Sequence, residues 1–287
     1  MPALKGNHPG HENLGLLLFV AILAGACTTP GQIGINTPQQ QPASYPPLIE
    51  DTPARKQAAQ QAWTQFLTER WLPEANPDMM PITNTPRTLP TELSGRININ
   101  AKPGKPGDTE LKEALRQFIE LSRGILSGEG KNSFLNLKDL SLVSFSNDGN
   151  FHRAVYRQVN YPFSIAEGYG ELHLTVDKNG GLLQWSSTLL PNIPLPVRAE
   201  IKPESLKEKI LGREFTYTTF AGRPQSYRVT KAEEIKAGEL VIYPKVIGSR
   251  MELHIAYAVV VGQGMTWTVY VDAINGNELG VKQNFAT

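Results

Sequence analysis

The only cysteine of this chain, Cys27, ends a short apolar run, and its isolation limits how the fold can be held together. Without a second cysteine, the chain has no intramolecular disulfide and no cysteine-based metal site. Hydrophobic residues make up 40% of the 287 residues, which is normal for a globular protein. The part of the chain after Cys27 is long enough for about two domains.

The apolar run Leu14–Leu23 is too short to be a permanent membrane span. It contains ten residues, whereas a helix that crosses the hydrocarbon layer needs about 20. We therefore interpret it as the hydrophobic region of a signal peptide. Small residues follow it, and the sequence Leu-Ala-Gly-Ala-Cys that ends at Cys27 resembles a bacterial lipobox.

The lipobox resemblance implies that residues 1–26 are a signal peptide and that Cys27 is a lipid attachment site, carrying acyl chains such as palmitate. Each buried CH₂ group contributes about 0.8 kcal/mol, so two or three chains hold a protein firmly on a membrane. Thr28, rather than an aspartate, follows the cysteine. By the same resemblance, this favours the outer membrane, facing the periplasm, in a Gram-negative cell. The alternative is an ordinary secretory signal with a cysteine nearby by chance.

Residues 27–50 are rich in proline, glutamine and small polar residues. Such a composition cannot bury enough apolar area to offset the entropy lost on ordering. We predict a lipidated, flexible tether whose ends lie about 25–30 Å apart. A tether of this length would lift the folded part of the chain clear of the lipid head groups.

A helix followed by a proline-rich passage is predicted for residues 51–107. The Asp-Thr-Pro sequence at 51–53 supplies a capping side chain and a proline for the first turn, and we expect the helix to run to about Trp71. Five prolines from Pro73 to Pro90 then indicate irregular cover. Whether this segment is a domain of its own or part of the next one is left open.

The rest of the chain repeats one order of elements, a helix and then a run of strands. One helix is predicted from Asp108 to the glycines at 124 and 128, and another begins at Pro203. Asn-Gly pairs at 179–180 and 275–276 indicate hairpins. The predicted strands are Leu140–Phe145, Phe151–Val159, Glu171–Val176, Leu182–Ser187, Phe215–Phe220, Gln225–Lys231, Leu240–Pro244, Leu253–Val261, Thr266–Asp272 and Glu278–Lys282.

This repeated order predicts an α+β architecture with two helix-on-antiparallel-sheet modules in tandem. The prolines at 191–196 mark the expected boundary, which gives modules at 108–195 and 196–287. The pattern does not match the alternating strands and helices of a Rossmann fold or a parallel barrel.

The residue types that carry catalysis or bind metals are sparse and scattered. His152, His173 and His254 stand alone in sequence, and we expect the latter two to be exposed or partly buried strand residues. The chain contains no His-Glu-x-x-His motif and no Gly-x-Ser-x-Gly motif. It also lacks a basic run with interleaved aromatics, so nucleic acid is not an expected partner. We predict no catalytic, metal or cofactor-binding residues. An enzyme or metal protein that uses His173 or His254 is the remaining alternative.

Three charged or glycine-rich stretches are interpreted in the same way, as structure rather than chemistry. The stretch from Gly124 to Asn132 superficially resembles a phosphate-binding loop. The spacing of its glycines is wrong, however, and it follows a helix instead of a strand. We interpret it as a helix stop and a loop. The charged residues at 204–208 and at 233–234 are expected to be solvated.

The segment Tyr156–Ile193 resembles the FTP module, the propeptide of fungalysin and thermolysin-type metalloproteases. The resemblance lies in a strand that ends in Arg-Gln, a short reversal, a glycine-rich turn that enters a strand, and an Asp-Lys-Asn-Gly hairpin. The segment Glu239–Leu279 resembles the adjoining PepSY module. It carries Leu-His-Ile-Ala-Tyr-Ala-Val and then Trp-Thr-Val-Tyr-Val-Asp-Ala-Ile-Asn-Gly-Asn-Glu-Leu. Both segments occur in the propeptide order.

These motifs also have physical roles of their own. Trp267, Val269 and Val271 alternate onto one face of a strand. Asp272 ends that strand, where its carboxylate can accept hydrogen bonds from the amides of the turn.

The resemblance implies a cystatin/PepSY-like fold that binds another protein rather than performing catalysis. In that family the modules assist folding of the protease that follows and inhibit it until cleavage. The chain ends about eight residues after Leu279, so we expect any such role to act in trans, on a thermolysin-like protease or another envelope protein. The alternative is a structural or assembly lipoprotein of the cell envelope that uses the same modules as binding scaffolds.

Overall fold

The computed structural model of this chain describes residues 44–99, 106–129, 135–218, 222–263 and 265–284. Within these ranges helices and mostly antiparallel sheets are combined, in agreement with the predicted α+β class. The helices are α1 (Pro53–Glu69), α2 (Asp108–Leu126) and α3 (Ser205–Ile210). The strands are β1 (Leu48–Glu50), β2 (Ile97–Asn98), β3 (Leu140–Asn147), β4 (Phe151–Gln158), β5 (Ser164–Ile165), β6 (Glu171–Asp177), β7 (Gly181–Ser187), β8 (Glu214–Thr218), β9 (Pro224–Arg228), β10 (Ile235–Lys236), β11 (Leu240–Ile247), β12 (Arg250–Val261), β13 (Thr266–Asp272) and β14 (Glu278–Asn284).

A five-stranded antiparallel sheet has the order β2-β7-β6-β4-β3. The predicted hairpin between β6 and β7 is confirmed, and the Asp177 carboxylate accepts hydrogen bonds from the amides of Asn179 and Gly181. Gly180 has a φ of 89°, which glycine adopts without steric cost. At the far edge, the pairing of β3 with β4 is interrupted by a bulge between Leu142 and Ser144.

Helices α1 and α2 pack on one face of this sheet. Thr52 caps α1, because its hydroxyl accepts a hydrogen bond from the Arg55 amide at 3.2 Å. Glu110 accepts one from the Gly107 amide at the start of α2. The buried stripes of both helices belong to one core with the inner face of the sheet, so α1 is part of this core.

An aromatic cluster lies at the centre of this core. Trp185 of β7 is completely buried and meets Trp63 and Phe66 of α1 edge-on, with ring centroids 6.0 and 6.2 Å apart. The Trp63 indole N–H donates to the carbonyl of Ala75 at 2.7 Å. The proline-rich passage therefore satisfies a buried donor as well as covering the helix.

A second sheet is assembled around β12, with the order β14-β13-β12-β11-β5. Two short strands also pair with β12: β1 at residues 250–252 and β10 at residues 260–261. Because β11 pairs with residues 250–257 and β13 with residues 256–261, β1 must continue the β13 side and β10 the β11 side. Strand β12 is thus hydrogen-bonded to four antiparallel neighbours.

The core of the second sheet lies under α3 and the β8–β9 ribbon. The predicted alternation is confirmed, since Trp267, Val269 and Val271 are all buried in this core. The Trp267 ring is stacked on Phe215 of β8 and on Tyr227 of β9, with centroids 5.0 and 5.3 Å apart. The predicted hairpin at Asn275-Gly276 joins β13 to β14.

Two segments that precede the expected boundary near residue 195 pair with the second sheet. Strand β1 pairs with β12, and β5 runs parallel to β11. All described residues fall in one compact unit, Gln40–Thr287. The division into modules at 108–195 and 196–287 therefore stays a prediction.

The described ranges contain no helix that combines the length and the apolar character needed to cross a membrane.

We expect Phe66→Ala to destabilise the whole fold, because the side chain is buried between Trp63 and Trp185. Removing a buried phenylalanine costs about 3–5 kcal/mol. The measurement is the free energy of unfolding from urea titration. Phe151→Ala is the matched control, since Phe151 is 39% exposed, against 3% for Phe66, and its removal should cost less. Equal losses for the two variants would contradict the packing of α1 into the common core.

Candidate functional site

A buried polar cluster surrounds His254 in β12. The ring Nδ1 lies 2.7 Å from Oδ2 of Asp272, and Nε2 lies 3.1 Å from Oε2 of Glu252. His254 and Asp272 are both buried, and Glu252 is half-buried. Both ring nitrogens thus face carboxylates, and only the doubly protonated ring can donate to both at once.

Tyr45, in the segment that leads into β1, completes this cluster. Its hydroxyl accepts a hydrogen bond from the Ile255 amide at 2.9 Å and donates one to Oδ1 of Asp272 at 3.2 Å. Its ring meets the His254 ring edge-on, with centroids 5.9 Å apart. Burial raises the pKa of Tyr45, and the neighbouring Asp272 carboxylate raises it further, so the hydroxyl remains a donor.

Asp272 has the role at the turn that its position in the sequence predicts. Its Oδ1 accepts hydrogen bonds from the amides of Ile274 at 2.8 Å and Asn275 at 3.1 Å. Burial by itself would raise the pKa of Asp272. The hydrogen bonds from His254 and from the two amides outweigh this effect and leave the pKa below its usual value. Asp272 is therefore an ionised, fully satisfied acceptor.

We call Tyr45, Glu252, His254 and Asp272 the His254 cluster. It connects the N-terminal segment, the central strand β12 and the β13–β14 turn through side-chain hydrogen bonds. His254 is only 4% exposed and Asp272 is completely buried. The hydrogen bonds of the His254 cluster therefore hold these three segments together. The sequence-based expectation that His254 is exposed or partly buried is wrong, because the side chain is buried between two carboxylates.

His173, unlike His254, lies on an exposed surface, the face of the five-stranded sheet that carries no helix. Its Nε2 is 2.9 Å from a carboxylate oxygen of Glu171, and Arg157 binds the other oxygen at 2.9 Å. Partial burial opposes ionisation of Glu171, yet the hydrogen bonds from His173 and Arg157 lower its pKa. His173 is exposed, as expected from the sequence, and forms part of a surface ion-pair ladder.

His152 is buried at the start of β4, beside Phe145 and the first residue of α2. Neither ring nitrogen has a hydrogen-bond partner within the described ranges, and Nδ1 lies 3.8 Å from Oδ1 of Asp108. The three histidines thus occupy separate places. In the part of the chain that the structure describes, no group of three or more His, Cys, Asp or Glu side chains is arranged to hold a metal ion.

The other motifs have structural positions or fall outside the description. Helix α2 ends at Leu126, and Gly128 follows with a φ of 68°, which confirms the predicted helix stop. The Glu234 carboxylate caps a short turn by accepting hydrogen bonds from the amides of Thr230 and Lys231. Cys27, the predicted lipid attachment site, lies outside the described residues together with the signal peptide and most of the tether.

Strand β3 presents an open edge of the five-stranded sheet. No strand among the described residues pairs with its outer side, and its eight residues include no ionisable side chain. By contrast, the edge strand β14 of the second sheet carries Glu278 and Lys282. Charges and prolines normally protect edge strands from pairing with other chains. We call the outer side of Leu140–Asn147 the β3 edge; no signal in the sequence distinguished it from the interior strands.

Comparison with known proteins gives little further information. No protein-family model matches this chain, and no curated protein matches it. Among solved structures it is similar to the Bacillus megaterium YpeB C-terminal domain, at 11% identity and a TM-score of 0.31. That match covers 83% of this chain and 99% of the other. So weak a likeness carries no argument, and the FTP and PepSY resemblances stay predictions.

We expect Asp272→Asn to lower the free energy of unfolding by about 1–3 kcal/mol at pH 7, because it removes the buried, ionised acceptor of His254 while Glu252 still pairs with the other ring nitrogen. The folded pKa of Asp272 lies below its unfolded value, so the stabilisation is complete at neutral pH and is lost as the pH falls below about 4. Urea titrations of both proteins at pH 7, 4 and 3 should show the difference between them shrinking with acid. A difference that stays constant would contradict the role of the ionised carboxylate.

Tyr45→Phe tests the contribution of the N-terminal segment separately. The change removes one hydroxyl and leaves the buried Ile255 amide without its acceptor, which costs about 1–3 kcal/mol. Tyr217→Phe is the control, because its hydroxyl bonds to the exposed Gln225 side chain, and we expect a loss within about 0.5 kcal/mol. If the two variants unfold at the same urea concentration, Tyr45 does not fasten the segment.

Proposed function

We propose that this protein is a non-catalytic, lipid-anchored binding protein of the cell envelope. It would bind an extended segment of a secreted or envelope metalloprotease, or of another envelope protein, and thereby inhibit that protein or assist its folding. The support comes from the contrast between a buried polar cluster and an exposed sheet edge. The His254 cluster is closed and internally satisfied, whereas the β3 edge leaves backbone groups available for pairing.

The β3 edge is the observation that carries this proposal. An extended peptide can add a strand to an open edge, with main-chain hydrogen bonds supplying affinity and alternate side chains supplying specificity. Val143 and Ser144 are exposed on this strand, while Lys112 of α2 covers the Phe145 ring from above at 4.7 Å. The edge is thus rigidly supported on its helical side and unprotected by charge on its outer side. The bulge at Leu142–Ser144 adds local twist, which limits the length of a strand that can pair without interruption.

The anchor belongs to the same proposal. A lipidated Cys27 followed by the part of the predicted tether that precedes Tyr45 would hold the folded part at the outer membrane, facing the periplasm. The end of the predicted tether is part of the fold, because Tyr45 is fastened to β12 through the His254 cluster and Leu48–Glu50 pairs with β12. A force on the tether would therefore act on these buried hydrogen bonds.

The double substitution Val143→Lys and Ser144→Lys should abolish partner binding at the β3 edge, because two cations oppose the addition of a strand. Both positions are exposed, so we expect stability within about 0.5 kcal/mol of the unmodified chain. The assay measures inhibition and refolding yield of a thermolysin-type metalloprotease, with the full-length protein in nanodiscs. The lysine pair should remove the effect.

The matched control is Val281→Lys on the edge strand β14, where charges are already present. This variant should inhibit as well as the unmodified protein. Absence of any effect of the unmodified protein on the protease, together with no enrichment of a protease from envelope extract, would contradict the proposed partner. Equal loss in both variants would contradict the assignment of the β3 edge.

Cys27→Ser should abolish incorporation of alkyne-labelled palmitate, since the sulfur is the proposed point of acylation. Each acyl chain contributes about 0.8 kcal/mol per buried CH₂, so the variant should also lose its firm attachment to the outer membrane. Metabolic labelling and sucrose-gradient fractionation measure the two effects. Label retained after the substitution would show that Cys27 is not the lipidated residue.

A further inference from the structure

Trp71 occupies a backbone position that favours glycine. Helix α1 ends in a Schellman motif, in which the Leu72 amide bonds to the Leu67 carbonyl at 3.0 Å and the Trp71 amide to the Thr68 carbonyl at 3.2 Å. The residue at the centre of this motif must adopt the left-handed conformation, and Trp71 has a φ of 53°. For a bulky side chain this conformation is an outlier that costs free energy.

The side chain of Trp71 contributes almost no buried apolar surface to the fold. It is 95% exposed, whereas Trp63, Trp185 and Trp267 are buried. Neither the backbone nor the side chain of Trp71 therefore contributes to stability in the way that the other tryptophans do. Strained and exposed residues of this kind are characteristic of functional sites.

Arg70 directly precedes Trp71 and is poised to bind an anion. Its guanidinium lies over the Phe66 ring at 4.2 Å from the centroid, and partial burial lowers its pKa. The adjacent Glu69 carboxylate acts on it electrostatically. No ion pair joins Arg70 to a carboxylate among the described residues, whereas the exposed Arg116 and Arg153 do have such partners. A guanidinium carries five N–H donors in a planar fork that matches a carboxylate.

Two clefts meet at Arg70. One, of about 350 Å³, lies between α1 and α2, and the other, of about 370 Å³, lies between α2, Leu72 and β2. Both are lined by Arg70 and Leu121. Glu69 and Glu120 also line the first cleft, whereas in the described part of the chain the second is lined by Arg96 and by no acidic side chain. Leu121 is 74% exposed although the other leucine, isoleucine and phenylalanine side chains of α2 are buried. We call Arg70, Trp71, Leu72 and Leu121 the Arg70 surface.

We propose that the Arg70 surface binds a protein segment in which a carboxylate lies beside an apolar side chain. The carboxylate would pair with the Arg70 guanidinium, and the apolar side chain would enter a cleft next to Leu121. Arginine and tryptophan beside a cleft are the residue types that dominate binding energy at protein interfaces. The clefts are concave, which favours an inserted peptide side chain over the flat surface of a bilayer.

This inference deepens the proposed function and rests on it, since it adds a second contact with the same class of partner. The two surfaces belong to different parts of the five-stranded sheet. The β3 edge lies at one end of the strand order, and the Arg70 surface lies beside β2 at the other end. A long partner segment could reach both, but each can be tested alone.

The test uses the full-length protein in phosphatidylcholine nanodiscs and two labelled peptides that differ at one position. The peptides are Gly-Ser-Leu-Glu-Leu-Ser-Gly and the same sequence with glutamine in place of glutamate, both acetylated and amidated. We expect the glutamate peptide to bind at least about 10-fold more tightly by fluorescence anisotropy, because a hydrogen bond to a charged group is stronger than a neutral one. It should also protect Trp71, the exposed tryptophan, from quenching by acrylamide.

Three substitutions separate binding from folding. Arg70→Gln should remove the preference for glutamate, and Arg70→Lys should restore only part of it, because lysine lacks the planar fork. Trp71→Gly should weaken binding of the peptide. It should also raise the temperature midpoint of unfolding by about 2–4 °C, since glycine adopts the left-handed conformation without steric cost. Arg153→Gln, which alters an exposed arginine on the face without helices, is the control and should leave the peptide affinity unchanged.

Equal binding of the two peptides, or no binding of either, would overturn the proposal. Protection of Trp71 in phosphatidylglycerol nanodiscs without peptide would overturn it in favour of an anionic lipid surface. A protein that fails to inhibit a protease but still distinguishes the two peptides would contradict the proposed protease partner and leave the Arg70 surface supported.

Discussion

Backbone hydrogen bonding along both sides of β12 is the interaction on which the second sheet depends. Strands β11 and β10 pair with one side, and strands β13 and β1 pair with the other. The same strand carries His254, which bonds to one carboxylate oxygen of Asp272 while the Tyr45 hydroxyl donates to the other. Because buried polar groups are costly unless they are paired, the position of β12 and the satisfaction of the His254 cluster support each other.

The molecule combines a closed interior with two surfaces that folding alone does not explain. The His254 cluster uses every polar atom of Asp272, and the aromatic core around Trp185 fills the space under α1 and α2. The β3 edge, in contrast, lacks the charges that normally protect such a strand. The Arg70 surface keeps a tryptophan at a glycine position, and among the described residues its guanidinium forms no ion pair with a carboxylate. Both surfaces are consistent with a protein that acts by binding.

Local patterns in the sequence predicted most of the elements correctly. Helix α2 follows from an apolar stripe at helical spacing that ends near Gly128, and β13 was placed at Thr266–Asp272 as observed. The two Asn-Gly turns and the amide-accepting role of Asp272 were also predictable, because a turn is specified by residues close to it in sequence. Helix α3 begins two residues later than expected, at Ser205. Such end positions depend on capping contacts that a pattern does not fix.

What the sequence by itself determined is the α+β class, the helices and hairpins, and the alternation that buries one face of each strand. These properties follow from side-chain periodicity, which is a local property of the chain. Only the tertiary structure decided that Tyr45 bonds to Asp272, 227 positions further along, and that His254 lies between two carboxylates. It also decided that Arg70 and Leu121 face the same clefts. These contacts depend on strand register and helix packing, which bring together residues that share no local pattern.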